Sequence, residues 1–158
     1  MGMVYKASIA QNVTLDGAGR VALWFGVSPT NYLQRLLCLT ITMDDAGDSN
    51  ENRYITSIVH TAAAASGTSI TPAPMSTGAS AYPAGGIRKA GTYSFSTAAI
   101  QMNFSSLTGV IWRPMSHERF IWGGSPSKNM QVRLSGGVDH ASEERYLEST
   151  LTFEVLGG

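Results

Sequence analysis

Apolar and polar residues alternate with a period of two along most of this chain. That spacing puts one face of a β-strand in a core and the other in water. Val4 to Leu15 reads as a first strand or extended arm. Asp16-Gly17-Ala18-Gly19 follows as a hairpin-type turn, because Asp-Gly tolerates positive φ. Arg20 to Val27 is a second strand and Ser28 to Asn31 a loop. Leu33 to Met43 is a long strand with Leu37, Leu39, Ile41 and Met43 on one face. Leu36 and Cys38 occupy the other, so its first half is expected to be buried on both sides. Asp44 to Asn50 is a polar turn, and Arg53 to His60 is the return strand.

The texture then changes. No Asp, Glu, Lys or Arg occurs between Tyr54 and Ile87, and Thr61 to Gly86 is almost wholly Ala, Ser, Thr, Gly and Pro. Pro72, Pro74 and Pro83 exclude a helix there. A long loop over 61–91 is expected, as a partly ordered excursion lying on a neighbouring surface. Strand patterns resume at Thr92 to Thr97, Ala99 to Phe104, Gly109 to Arg113 and Phe120 to Trp122. Asn129 to Ser135 alternates with Met130, Val132 and Leu134 inward, and Leu147 to Leu156 alternates again. Only Ala141 to Tyr146 has the character of a helical turn. About eight to ten short strands without a long helix predict one all-β domain over 1–158. The expected architecture is an antiparallel β-sandwich or jelly-roll-like barrel, with an N-terminal arm or strand over 1–15.

Composition narrows what such a domain does. The 158 residues are 43% hydrophobic and only 14% charged. Eleven Lys and Arg balance eleven Asp and Glu, giving zero net charge and no basic stripe. Nucleic-acid binding by phosphate neutralisation is therefore not expected. Low net charge gives little self-repulsion, which suits a protein that associates. Cys38 is the only cysteine, expected as a small core residue, so neither an internal disulfide nor a Cys-based metal site is possible. The start lacks the apolar core of a signal peptide, and no stretch has the length of a membrane span.

Candidate chemistry is sparse. His60, His117 and His140 are the available bases, but there is no Gly-x-Ser-x-Gly elbow and no pair of His at ligand spacing. No catalytic residue and no cofactor is expected. Asp44, Asp45, Asp48 and Glu51 put four carboxylates within eight residues, and they read either as a solvated hairpin turn or as a calcium site. Gly85-Gly86 and Gly123-Gly124 read as turns, not phosphate loops. Trp24 and Trp112 lie in apolar strands and read as core, whereas Trp122 before Gly-Gly reads as the exposed one. That leaves a carbohydrate-binding alternative open. Glu118-Arg119 reads as a pair that fixes a Pro-containing turn or as an intersubunit ion pair.

The order of the pieces carries a resemblance. Tyr5-Lys6-Ala7-Ser8-Ile9 leads into a strand. Arg35-Leu36-Leu37-Cys38-Leu39 precedes the acidic turn 44–51 and the strand Arg53 to Val59. Thr71-Pro72-Ala73-Pro74-Met75 lies in the Gly/Ser/Ala-rich stretch. Gly109-Val110-Ile111-Trp112-Arg113-Pro114 runs on to Glu118-Arg119, and Ser149-Thr150-Leu151-Thr152-Phe153-Glu154 closes the chain. In this order, over nearly the whole length, the chain resembles small proteins of tailed bacteriophages and prophages whose genes lie beside the major capsid gene. The family usually carries two acidic residues before the Arg of the last turn, where this chain has His117-Glu118-Arg119. The resemblance implies a head decoration (cement) protein without enzyme activity. It implies synthesis in a bacterial cytoplasm, a place on the virion surface, binding to the major capsid protein, and self-association, most simply as a trimer. A tail-fibre adhesin and a tail or connector protein are the alternatives. The expected partner-contacting residues are Met3, Val4 and Tyr5 of the first strand, Ile70, Pro72, Pro74 and Tyr82 of the excursion, and Trp122. No nucleic acid and no membrane is expected as a partner.

Overall fold

The computed structural model describes residues 2–44, 52–115 and 117–156. Two antiparallel sheets pack face to face as a β-sandwich, and neither closes into a barrel. Twelve strands occur among the described residues, more than the pattern predicted. Sheet A has the order β10 (Ile121–Gly123), β3 (Leu33–Asp44), β12 (Glu144–Leu156), β1 (Met3–Thr14) and β6 (Ala73–Pro74), with β9 (Val110–Trp112) also on β3. Sheet B runs β5 (Thr68–Ile70), β7 (Ile87–Gly91), β2 (Arg20–Gly26), β11 (Asn129–Ser135), β4 (Arg53–Thr61) and β8 (Ala98–Ser105).

Alternation decides which side chains meet between the sheets. From sheet A come Ile9, Val13, Leu39, Ile41, Leu147, Leu151 and Phe153; from sheet B come Val21, Leu23, Trp24, Tyr54, Ile58, Met130, Val132 and Leu134. Trp24 spans the gap by donating its indole N–H to Ser149 Oγ at 2.8 Å, which satisfies a polar group inside the core.

Where alternation breaks, a bulge explains it. On β3 the register with β12 passes from Cys38↔Thr152 to Leu36↔Phe153, so Leu37 is the extra residue. Leu36 and Leu39 are thus both buried, while Leu37 and Cys38 are half-exposed. This corrects the expectation that Leu37 shares a face with Leu39, and that Cys38 is a core residue. On β2 the step from Ala22↔Arg133 to Trp24↔Val132 makes Leu23 extra, so Leu23 and Trp24 both enter the core.

Other elements differ from their patterns. The N-terminal segment is not a loose arm, since β1 pairs with β12 through twelve successive register partners from Met3↔Val155 to Thr14↔Glu144. The 61–91 segment contains three short strands rather than one long loop. It leaves β4, pairs as β5 with β7 at one edge of sheet B, crosses to pair as β6 with Tyr5 and Lys6 at the edge of sheet A, and returns as β7 beside β2. It is a strap across one open side of its own sandwich. Thr92–Thr97 joins no ladder. The helical turn falls at Val138–His140, and Glu144 already begins β12, so the Ala141–Tyr146 expectation is displaced. The Asp16 turn is as expected, with Asp16 Oδ1 accepting from the Ala18 and Arg20 amides, though the positive φ (73°) sits at Gly19.

Candidate interaction surface

Three of the expected contact residues come together, but inside the molecule. Tyr5 is an inward residue of β1, Tyr82 lies in the strap between β6 and β7, and Trp122 lies on β10. Their rings surround Phe153, with centroids 5.7 Å from Tyr5, 5.1 Å from Tyr82 and 5.6 Å from Trp122. Tyr5 and Tyr82 also meet edge to face at 5.2 Å. Tyr5 donates its hydroxyl to the Ser80 carbonyl at 2.9 Å, and buried Gln34 bonds the Tyr82 hydroxyl. Burial pushes the Tyr82 hydroxyl pKa well above its ordinary value, so it stays protonated, and burial beside Tyr5 raises that of Tyr32.

This cluster is an anchor that holds the strap to sheet A. Tyr5, Tyr82 and Trp122 are buried, which corrects the expectation that they face a partner. Trp122 is only 1% exposed. With Trp24 and Trp112 also buried, no tryptophan offers a stacking face to a sugar. Pro72 is buried, and Val4 and Ile70 are half-buried. Of the expected set, Met3 and Pro74 are exposed. Asp45, Asp48 and Glu51 lie outside the described residues, as does the side chain of Asp44. Among the described residues no group of three or more His, Cys, Asp or Glu could hold a metal ion.

His60 and His140 are each held by a ring and a hydrogen bond. His60 stacks on Phe120 at 4.4 Å, and its Nε2 lies 2.7 Å from the Ile121 carbonyl. It opens onto a cleft of about 570 Å³ between β8 and residues 117–120, which also gathers His117, Glu118 and Arg119. His140 stacks on Tyr54 and bonds Glu143 at 2.9 Å, while Arg145 meets the same carboxylate at 2.7 Å. The His140 hydrogen bond, with Arg145, holds the Glu143 pKa below the ordinary carboxylate value.

The outward face of sheet A is the broad surface that sequence reasoning did not single out. Ser8, Thr150, Thr40 and Ile111 form one row straight across β1, β12, β3 and β9. Lys6, Thr152 and Cys38 form the next row on one side, and Ala10, Glu148 and Thr42 the next on the other. The central row therefore carries three hydroxyls and no charge, with Lys6 and Glu148 on the rows beside it, and Ile111 stands 69% exposed at its margin. No family model, curated protein or solved structure matches the chain. The period-2 pattern contained these outward positions, but bringing them into one patch required the strand order, which pairs residue 8 with 150 and 150 with 40.

Proposed function

We propose that the chain is a structural virion protein, a decoration or cement protein that binds the outer surface of a tailed-phage head and bridges neighbouring capsid subunits. The order of motifs shared with the phage family supports this reading. The observation that carries it is the uncharged, hydroxyl-bearing central row Ser8, Thr150 and Thr40 on the outer face of sheet A, flanked by one lysine and one glutamate. A protein that must cover a large surface gains by presenting groups that are cheap to desolvate, and uncharged hydroxyls cost far less to bury than ions. Many modest contacts repeated over a shell then add up through multivalency. The partner is the major capsid protein, and the protein acts without catalysis.

The test uses the purified full chain and expanded heads stripped of their outer proteins. Co-sedimentation is expected, together with its loss in Thr150→Arg, which places a charge at the centre of the face without touching the core. Wild-type protein that stays in the supernatant, or a Thr150→Arg variant that still sediments fully, overturns the proposal.

A further inference from the structure

β1 is paired along its whole length on one side and barely at all on the other. Beyond Tyr5 and Lys6, where the strap meets it, no strand among the described residues pairs with its outer edge. The Val4 carbonyl accepts from the Met75 amide of the strap, so it points to that edge. Backbone groups alternate in direction along a strand, which puts the N–H and C=O of Ser8, Ala10, Asn12 and Thr14 on the same side. Their side chains are exposed as well.

Sheet edges are normally blunted by proline, charge, bulges or shortness. The edges formed by β5, β6, β9 and β10 are two or three residues long. The β8 edge carries a bulge at Ala99 and is flanked by residues 117–120 across the cleft. Ser8 to Thr14 has no proline and no charge, and its register with β12 runs without a bulge.

We propose that this edge takes a second copy of the same chain, β1 against β1 in antiparallel orientation about a two-fold axis near Asn12, joining sheet A across two protomers. In that register Ala10 of one copy faces Thr14 of the other and Asn12 faces Asn12, giving about six backbone hydrogen bonds. The occupant follows from the segment's own chemistry. Antiparallel two-fold pairing lets one edge satisfy itself. Every side chain from Ser8 to Thr14 is uncharged, so self-pairing sets no like charges opposite each other. The whole chain is neutral, so copies do not repel.

Sedimentation equilibrium of the full chain tests this, with hydrogen exchange as a second readout. A dimer is expected, with the amides of residues 8, 10, 12 and 14 protected at high protein concentration and exchanging freely on dilution. Ala10→Pro removes an N–H that faces the open edge and leaves the β12 ladder intact; it is expected to be a folded monomer. Asn12→Lys sets two ammonium groups together at the axis and is expected to be monomeric too, which decides the matter if Ala10→Pro fails to fold. A wild-type monomer or trimer, or a dimer that survives Asn12→Lys, overturns the inference. Capsid binding through the sheet A face does not require this contact, so either proposal can fail without the other.

Discussion

The indole of Trp122 lies over Gly26 on the facing sheet. A Cβ at residue 26 would stand 2.9 Å from Trp122 Nε1 and 3.1 Å from the Met130 methyl group, so the glycine makes the space the ring fills. Replacing the ring leaves a cavity beneath Phe153 that this close-packed surround cannot collapse into. Trp122→Ala is expected to cost about 3–5 kcal/mol, read as a lowered urea midpoint at unchanged slope. A loss under about 1 kcal/mol would show that the ring does not sit in the core. The same position shows what one residue's context withholds. Gly123-Gly124 announces a turn, and Gly123 does take a φ of 119° against the Tyr32 carbonyl. A turn signal does not say which face of the sheet the preceding tryptophan takes. That is set by Gly26, nearly a hundred residues earlier in the chain.

Among the elements, Thr92–Thr97 separates pattern from cause. Its alternation has the period of a strand, yet side chains rather than a backbone ladder hold it. Gln131 donates to the Thr92 carbonyl at 3.0 Å and accepts from the Ser94 amide at 2.9 Å. Arg133 donates to the carbonyls of Ser94 at 2.6 Å and Ser96 at 2.7 Å, and its guanidinium lies over the Tyr93 ring at 4.8 Å. The segment therefore covers the outward side of β11, which keeps Gln131 and Arg133 buried where simple alternation would expose them. Arg133→Met removes two charged hydrogen bonds and is expected to cost about 2–4 kcal/mol. Chymotrypsin should then cut at Tyr93 or Phe95 well before the rest of the domain. Equal resistance in wild type and variant would refute this account of the segment. The longer strands β1, β4, β11 and β12 were legible from the pattern, whereas the short strap strands β5, β6 and β7 were not. The bulge at Leu37 was not, because an extra residue in a uniformly apolar run leaves no mark in composition.

For the molecule as a whole, β1 and β12, the first and last described strands, form the middle of sheet A. β12 lies between β3 and β1, so most of that sheet cannot assemble until the last strand has joined the first. Contacts so distant in sequence make folding slow and late truncation severe. Removing residues 1–14 is expected to abolish the cooperative thermal transition, because it exposes one whole side of β12 and opens the core beside Leu147 and Leu151. A truncated chain that melts cooperatively within a few degrees of the full one would return the segment to the status of an arm. The all-β class and the sandwich were legible in the spacing of short alternating runs. The strap was not, because its small uncharged residues carry no period. Between its two ends the strap buries Pro72, Tyr82 and Ile87, and the burial of Tyr82 depends on Tyr5, Gln34 and Phe153 lying on other strands.

Met3 and Val155 are direct partners across the β1–β12 ladder, so their Cα atoms are about 5 Å apart. A short peptide bridge could join them with almost no change in backbone direction. Joined there, residues 3–155 would form a closed circuit of strands that could be opened at another loop. The exposed run Ala62–Ala65, between β4 and β5, offers one such opening, where Asn129 of β11 donates to the Ala63 carbonyl at 3.2 Å. A permuted chain begun there would keep every ladder described above and would present its ends beside sheet B, leaving the hydroxyl face and the free edge of β1 unencumbered.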